Sequence, residues 1–269
     1  MMTTLAHSTH STHSTHSVHS ARRRPGVIAR IALTLAGIAL AAPAGAHYLW
    51  LEPGKPLAHL YFGEFEEGLR ERSPGRLDEM PAPQISAPDG AGKTVALDAT
   101  RGPQGFSFAM PAQRGAVVAS EGRYAVKDWT HAGIGVVKPM FYARLLGEAK
   151  AGMPAVPPDT IQALDILPTG KAGEFRVVFQ GAPLPATDVR IIAPNAWTRE
   201  VATDSQGLVR FKFPWRGQYL LHVIHLERTA GTFDGTPYAA IRHRATATLT
   251  TSGGARTETP TTWRASPTH

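Results

Sequence analysis

No cysteine occurs in the 269 residues. Its absence excludes a disulfide framework, thiolate metal sites, iron–sulfur clusters and a cysteine nucleophile. The common enzyme signatures are missing as well: there is no Gly-x-Ser-x-Gly elbow, no phosphate-cradling glycine loop ahead of a helix, and no His-Glu-x-x-His. No apolar run after residue 46 is long enough to span a bilayer, and no solenoid repeat is found. Residues 1–46 contain no Asp or Glu but hold four of the chain's 28 basic residues, so without them the formal charge falls from +7 to +3. That excess is too small and too dispersed to point to a nucleic-acid partner.

What residues 1–46 do contain reads as an export leader. Arg22, Arg23 and Arg24 supply a basic start, Ile31–Ala42 a short apolar stretch, and Ala44-Gly45-Ala46 a small-x-small cleavage pattern. Cleavage is expected at the Ala46–His47 bond, giving a periplasmic protein whose first residue is a histidine. The apolar stretch is short for a membrane anchor, which is the alternative. The histidines three residues apart upstream (His7, His10, His13, His16, His19) would be discarded with the leader.

After residue 46 the chain reads as all-β. Glycine (26) and proline (22) are frequent, and short apolar runs are broken by turn chemistry such as Pro88-Asp89-Gly90 and Asp204-Ser205-Gln206-Gly207. Strands are expected at 48–51, 57–62, 84–87, 94–97, 106–110, 116–120, 123–129, 174–180, 188–193, 198–203, 208–213, 217–228 and 238–249, with a short helix at 141–150. The regular spacing in the second half suits a Greek-key sandwich. The expected organisation is two immunoglobulin/transthyretin-like β-sandwich domains, at 47–150 and 165–250. A proline-rich linker at 151–164 would join them, and a disordered tail would follow at 251–269.

Several stretches carry a family resemblance. His47-Tyr-Leu-Trp-Leu-Glu-Pro53, Tyr61-Phe-Gly-Glu-Phe65, Lys138-Pro-Met-Phe-Tyr-Ala-Arg144, Val223-Ile-His-Leu-Glu-Arg-Thr229 and Tyr238-Ala-Ala-Ile-Arg-His-Arg-Ala-Thr246 resemble a bacterial periplasmic family, domain-of-unknown-function family 4198. That family is described as the periplasmic component of nickel/cobalt transport. The resemblance implies a β-rich exported protein, a nickel or cobalt ion, and a membrane transporter component as partner. Gly181-Ala-Pro-Leu-Pro185, Thr203-Asp-Ser-Gln-Gly207 and Gly217-Gln-Tyr219 also resemble the carboxypeptidase-regulatory-like β-sandwich.

The residues themselves point to metal. A cleaved N-terminal His47 can chelate through its α-amine and Nδ1, and a further histidine would complete a copper-type histidine brace. The α-amine titrates near pH ~8, so such binding weakens in mild acid. The best further pair is His225 and His243, on two strands flanking a turn near Asp234-Gly235. A hairpin symmetric about Asp234 sets them directly opposite each other, with Cβ atoms about 4.5–5.5 Å apart. A one-residue slip would place them on opposite faces.

His222 lies three residues from His225, and so on the opposite face of a strand. His59 and His131 are weaker candidates. Glu64 or Glu227 would serve as an outer partner orienting an imidazole. Trp50, Trp129, Trp197 and Trp215 are expected in the sandwich cores.

The expected metal ligands are thus His47, His225 and His243, with a divalent nickel, cobalt or copper ion and no catalytic residues. Two alternatives remain open: a histidine-brace copper oxygenase and a non-catalytic immunoglobulin-like interaction module.

Overall fold

A computed structural model describes residues 47–259 and 262–267, apart from 90, 92, 112–115, 150–152, 154–155 and 157–159. The expected leader at 1–46 and His269 lie outside the described residues.

Among the described residues, twenty strands account for nearly all the regular structure. The first half contributes β1 (Tyr48–Glu52), β2 (Leu57–Glu64), β3 (Leu69–Arg70), β4 (Gln84–Pro88), β5 (Thr94–Leu97), β6 (Ala99–Gly102), β7 (Gly105–Ala109), β8 (Val117–Glu121), β9 (Lys127–Trp129) and β10 (Gly135–Glu148). The second half contributes β11 (Leu164–Pro168), β12 (Glu174–Phe179), β13 (Ala182–Pro183), β14 (Asp188–Ile192), β15 (Thr198–Ala202), β16 (Leu208–Arg210), β17 (Gly217–Glu227), β18 (Gly231–Phe233), β19 (Thr236–Tyr238) and β20 (Ala240–Thr251). The all-β expectation holds.

The largest sheet has nine strands. Its main path runs β15-β14-β17-β20-β10-β8-β4-β5, with β9 added on β10. It crosses the boundary expected at 151–164, because β20 pairs in parallel with β10 (Val137↔Ala240 to Glu148↔Thr250). All described residues belong to one compact unit. Two further sheets cover opposite faces of this one. The sheet β1-β2-β7-β6, with β3 on β2, closes a core of Leu49, Leu60, Phe62, Phe106 and Phe108 against Ile85, Ala119, Phe141 and Leu145. The sheet built on β12, with β11, β13 and β16, closes a second core of Ile166, Phe175 and Val177 against Val189, Leu221, Ala245 and Leu249.

Residues 141–148 are strand rather than the expected helix. Successive side chains of β10 point to opposite faces of the sheet, so Phe141, Ala143 and Leu145 enter the first core while Tyr142 enters the second. Burial on both faces replaces strict alternation with a near-continuous apolar run, which periodicity alone does not distinguish from a helix.

The tail expected to be disordered packs back on the first half. Trp263 stacks on Trp50 at 6.2 Å, and Arg70 N and Arg264 N exchange backbone hydrogen bonds with Arg264 O and Gly68 O, each at 2.9 Å. Of the four tryptophans expected in cores, Trp50 and Trp129 are buried, Trp215 is half-buried and Trp197 is exposed.

Candidate functional site

β1 brings His47 to the edge of the first core, where the imidazole is 6% exposed and rests against Phe62. Two carboxylates flank it. Nε2 is hydrogen-bonded to Glu71, which also accepts from Ser266 Oγ at 2.6 Å. Nδ1 lies 2.9 Å from Glu64 Oε1, on β2, but off hydrogen-bond alignment. Both of these atoms are buried and have no other hydrogen-bond partner among the described residues. Burial pulls the His47 pKa down, but the contacts with Glu64 and Glu71 outweigh it and hold the group above its ordinary value. Burial pushes Glu71 up, and the hydrogen bonds from His47 and Ser266 more than reverse that.

The arrangement has a chemical consequence. With the Nε2 proton donated to Glu71, the Nδ1 lone pair faces a carboxylate oxygen in a buried site, and the pair needs a positive charge between them. A proton on Nδ1 supplies one. A metal ion supplies the other: two cis ligands bound at about 2.1 Å stand about 3 Å apart, close to the separation found.

The register pairs His225 directly with His243 across β17 and β20, with ring centroids 6.3 Å apart. The hairpin turns at Asp234 and Gly235, both with positive φ (47° and 77°), as a tight two-residue turn requires. Its tip, β18–β19, is offset by one residue from the body: Phe233 faces Thr236, whereas Glu227 faces Ile241. Both nitrogens of His243 are engaged. Nδ1 accepts from Tyr142 Oη at 3.1 Å, and Nε2 donates to Glu227 at 2.9 Å. Glu227 thus orients an imidazole, as its strand parity suggested. Burial lowers the pKa of both histidines; Glu227 opposes this without reversing it. His225 is half-buried against Phe179.

The three expected ligands do not form one site. On β20, Arg244 and Thr246 bond to the carbonyls of His47, just before β1, and of Leu49 on β1, so their face is the one that β1 covers. His243, one residue from Arg244, points to the other face, toward Phe179 of β12. The nine-stranded sheet therefore separates His47 from the pair. The brace required a second histidine beside His47, and neither member of the pair is there. Among the described residues no group of three or more His, Asp or Glu side chains is arranged to hold a metal ion.

A family model described as a domain of unknown function, DUF4198, matches residues 44–227, more than half of the chain. The chain belongs to the DUF4198 family. The matched segment of this DUF4198 protein includes His47, Glu64, Glu71 and His225, and ends before His243. No curated protein and no solved structure matches the chain. No helix among the described residues is long and apolar enough to cross a membrane.

One cluster escaped the sequence reading. His222 and Arg244 are both buried on the face that β1 covers, beside Arg190 and Arg242. The signal was present as alternating basic residues on β20, Arg242 and Arg244, but nothing local tells that the next layer of structure covers them.

Proposed function

We propose that this is an exported protein that binds a divalent transition metal at His47 for uptake or handling. The supporting observation is the buried, unaligned contact between His47 Nδ1 and Glu64 Oε1. Cleavage before His47 gives that residue an α-amino nitrogen, which chelates together with Nδ1. Glu64 supplies the carboxylate ligand, and Glu71 holds the Nε2 proton and so fixes the tautomer that leaves Nδ1 open. Two nitrogens and one oxygen suit copper or nickel. Intrinsic affinity favours copper, so a nickel or cobalt role, with a membrane transporter as partner, rests on metal supply and geometry. Ion and imidazole proton compete for the same nitrogen, so binding weakens as pH falls.

The test is N-terminal sequencing of the secreted protein followed by calorimetric titration with Cu²⁺ and Ni²⁺. A start at His47 and one bound ion per chain are expected. Adding one residue before His47, or substituting Glu64→Gln, weakens binding about tenfold or more, and Glu71→Gln by roughly 10–100-fold. His225→Ala, on the far face, leaves the affinity unchanged. Equal affinity in the extended and Glu64→Gln forms overturns the proposal.

A further inference from the structure

Among the described residues Trp197 is the most exposed large apolar side chain, at 48%. The turn that carries it, between β14 and β15, is nevertheless well held. Ala193 N donates to Trp197 O at 2.8 Å, Trp197 N donates to Asn195 Oδ1 at 3.2 Å, and Ala196 takes the left-handed conformation (φ 64°). The ring leans on Trp215, with centroids 5.7 Å apart and planes at 64°. Trp215 is half-buried against the second core and is joined to Ala255 by a single parallel bridge. Arg216 N donates to Ala255 O and Ala255 N to Pro214 O, each at 2.9 Å. Residues 193–199, 211–217 and 252–257 therefore meet at one end of the nine-stranded sheet, where β14 and β20 stop and β15 and β17 start.

The surroundings of the two indoles are basic. These three segments carry Arg199, Lys212, Arg216 and Arg256, and no Asp or Glu. All four basic side chains are exposed, and none makes an ion pair among the described residues. Arg199 lies two residues from Trp197 and so on the same face of the chain. The adjoining Glu200 is held by Arg190 at 2.9 Å. Two other acids border the patch: Glu148 accepts from Ser252 Oγ at 2.7 Å, and Glu258 follows Arg256 by two residues. Even with both counted, the basic groups are in excess.

We infer that this end of the sheet docks on an anionic lipid bilayer, with Trp197 seated among the headgroups and the four basic side chains against the lipid phosphates. An indole is apolar at one end and a hydrogen-bond donor at the other, and it settles at headgroup depth. Each basic residue near an anionic membrane adds attraction. A soluble polyanion would use the charges but leave the ring in water. The surface is separate from the His47 centre and needs no metal.

The experiment is sedimentation of the metal-free protein with vesicles of phosphatidylcholine alone, and of phosphatidylcholine and phosphatidylglycerol in equal parts, at low salt and at roughly 0.5 M salt. Binding to the anionic vesicles at low salt is expected, with little to the neutral ones and a marked loss at high salt. Arg199→Gln together with Arg216→Gln weakens partitioning roughly 25-fold, about fivefold for each charge. Trp197→Ala also weakens it, and reduces the quenching of tryptophan emission by brominated lipid. Arg228→Gln removes one charge at the other end of β17, about 30 Å away, and leaves partitioning unchanged. Thermal melts verify that the variants, all at exposed positions, are folded. Three results overturn the inference: no binding to the anionic vesicles, equal binding to both compositions, or unchanged partitioning in the folded Trp197→Ala or double-arginine protein. Because no metal is present, each result is independent of the His47 proposal.

Discussion

At the scale of single residues, the buried charges set the stability. Arg144, on β10, is fully buried. Its Nε donates to Asp165 Oδ1 at 2.9 Å, and its Nη2 donates to the Thr160 carbonyl at 2.6 Å. Asp165, on β11, also accepts from Gln162 N at 3.0 Å, so the pair fastens the end of the expected linker to the central strand. Asp165→Ala leaves a guanidinium buried without its counter-charge and is expected to cost about 3–5 kcal/mol, read from the denaturant midpoint. A cost within about 0.5 kcal/mol would contradict this account.

His222 gives a pH dependence. Its pKa is held well below 6.5 by burial first, then by Arg244, Arg190 and Arg242, while Tyr48 stacks on the ring. The unfolded chain takes up a proton near pH ~6.5 that the folded chain refuses. The stability from this group is therefore complete above that pH and declines by about 1.4 kcal/mol per pH unit below it. His47 works in the opposite direction, since its raised pKa favours the folded state until pH climbs through that value. The metal-free protein is expected to lose less stability on acidification when His222 is replaced by Gln. Urea titrations at several pH values measure the slope, and an unchanged slope would refute the assignment.

At the scale of elements, β1 and the segment 262–267 depend on each other. Both faces of β1 are buried: Leu49 and Leu51 enter the first core, while Tyr48 and Trp50 pack with Phe65, Ile192 and Leu220. Trp263 lies over Trp50, and the Arg70 guanidinium sits 3.5 Å from the Trp263 ring centre and 3.7 Å from that of Tyr61. The segment then delivers Ser266 to Glu71. Trp263→Ala removes half-buried aromatic area and one cation–π contact, an expected loss of about 1–3 kcal/mol. It should also quicken hydrogen exchange in β1 and β3. Exchange unchanged at both strands would mean that the segment is not fastened there.

At the scale of the molecule, the nine-stranded sheet joins the halves. β20 makes its antiparallel ladder with β17 from the second half and its parallel ladder with β10 from the first. Tyr142 of β10 completes the second core. Separating the halves would expose one long edge on β10 and another on β20, each with unpaired backbone groups. Residues 47–150 and 160–269 expressed apart are therefore expected to remain unfolded or to aggregate, and the joined chain to unfold in one cooperative transition. Two resolved transitions in calorimetry, or dispersed spectra from either fragment alone, would show independent domains.

Local pattern was enough for much of this protein. Strand alternation and turn residues made the all-β class legible, placed most strands, and set His225 opposite His243, because a hairpin's register is determined by residues near in sequence. The same parity pointed to Glu227 beside an imidazole. Tertiary structure decided the rest. Whether 141–148 is strand or helix depends on being covered from both sides. Whether the tail is ordered depends on Trp50 and Arg70, far away in the sequence. Which histidines share a site depends on which face of the large sheet β1 covers, and that choice puts His47 with Glu64, Glu71 and Arg244 and leaves His225 and His243 with Phe179. Side-chain alternation assigns residues to two faces from the sequence alone, but only the packing of distant strands determines what each face meets.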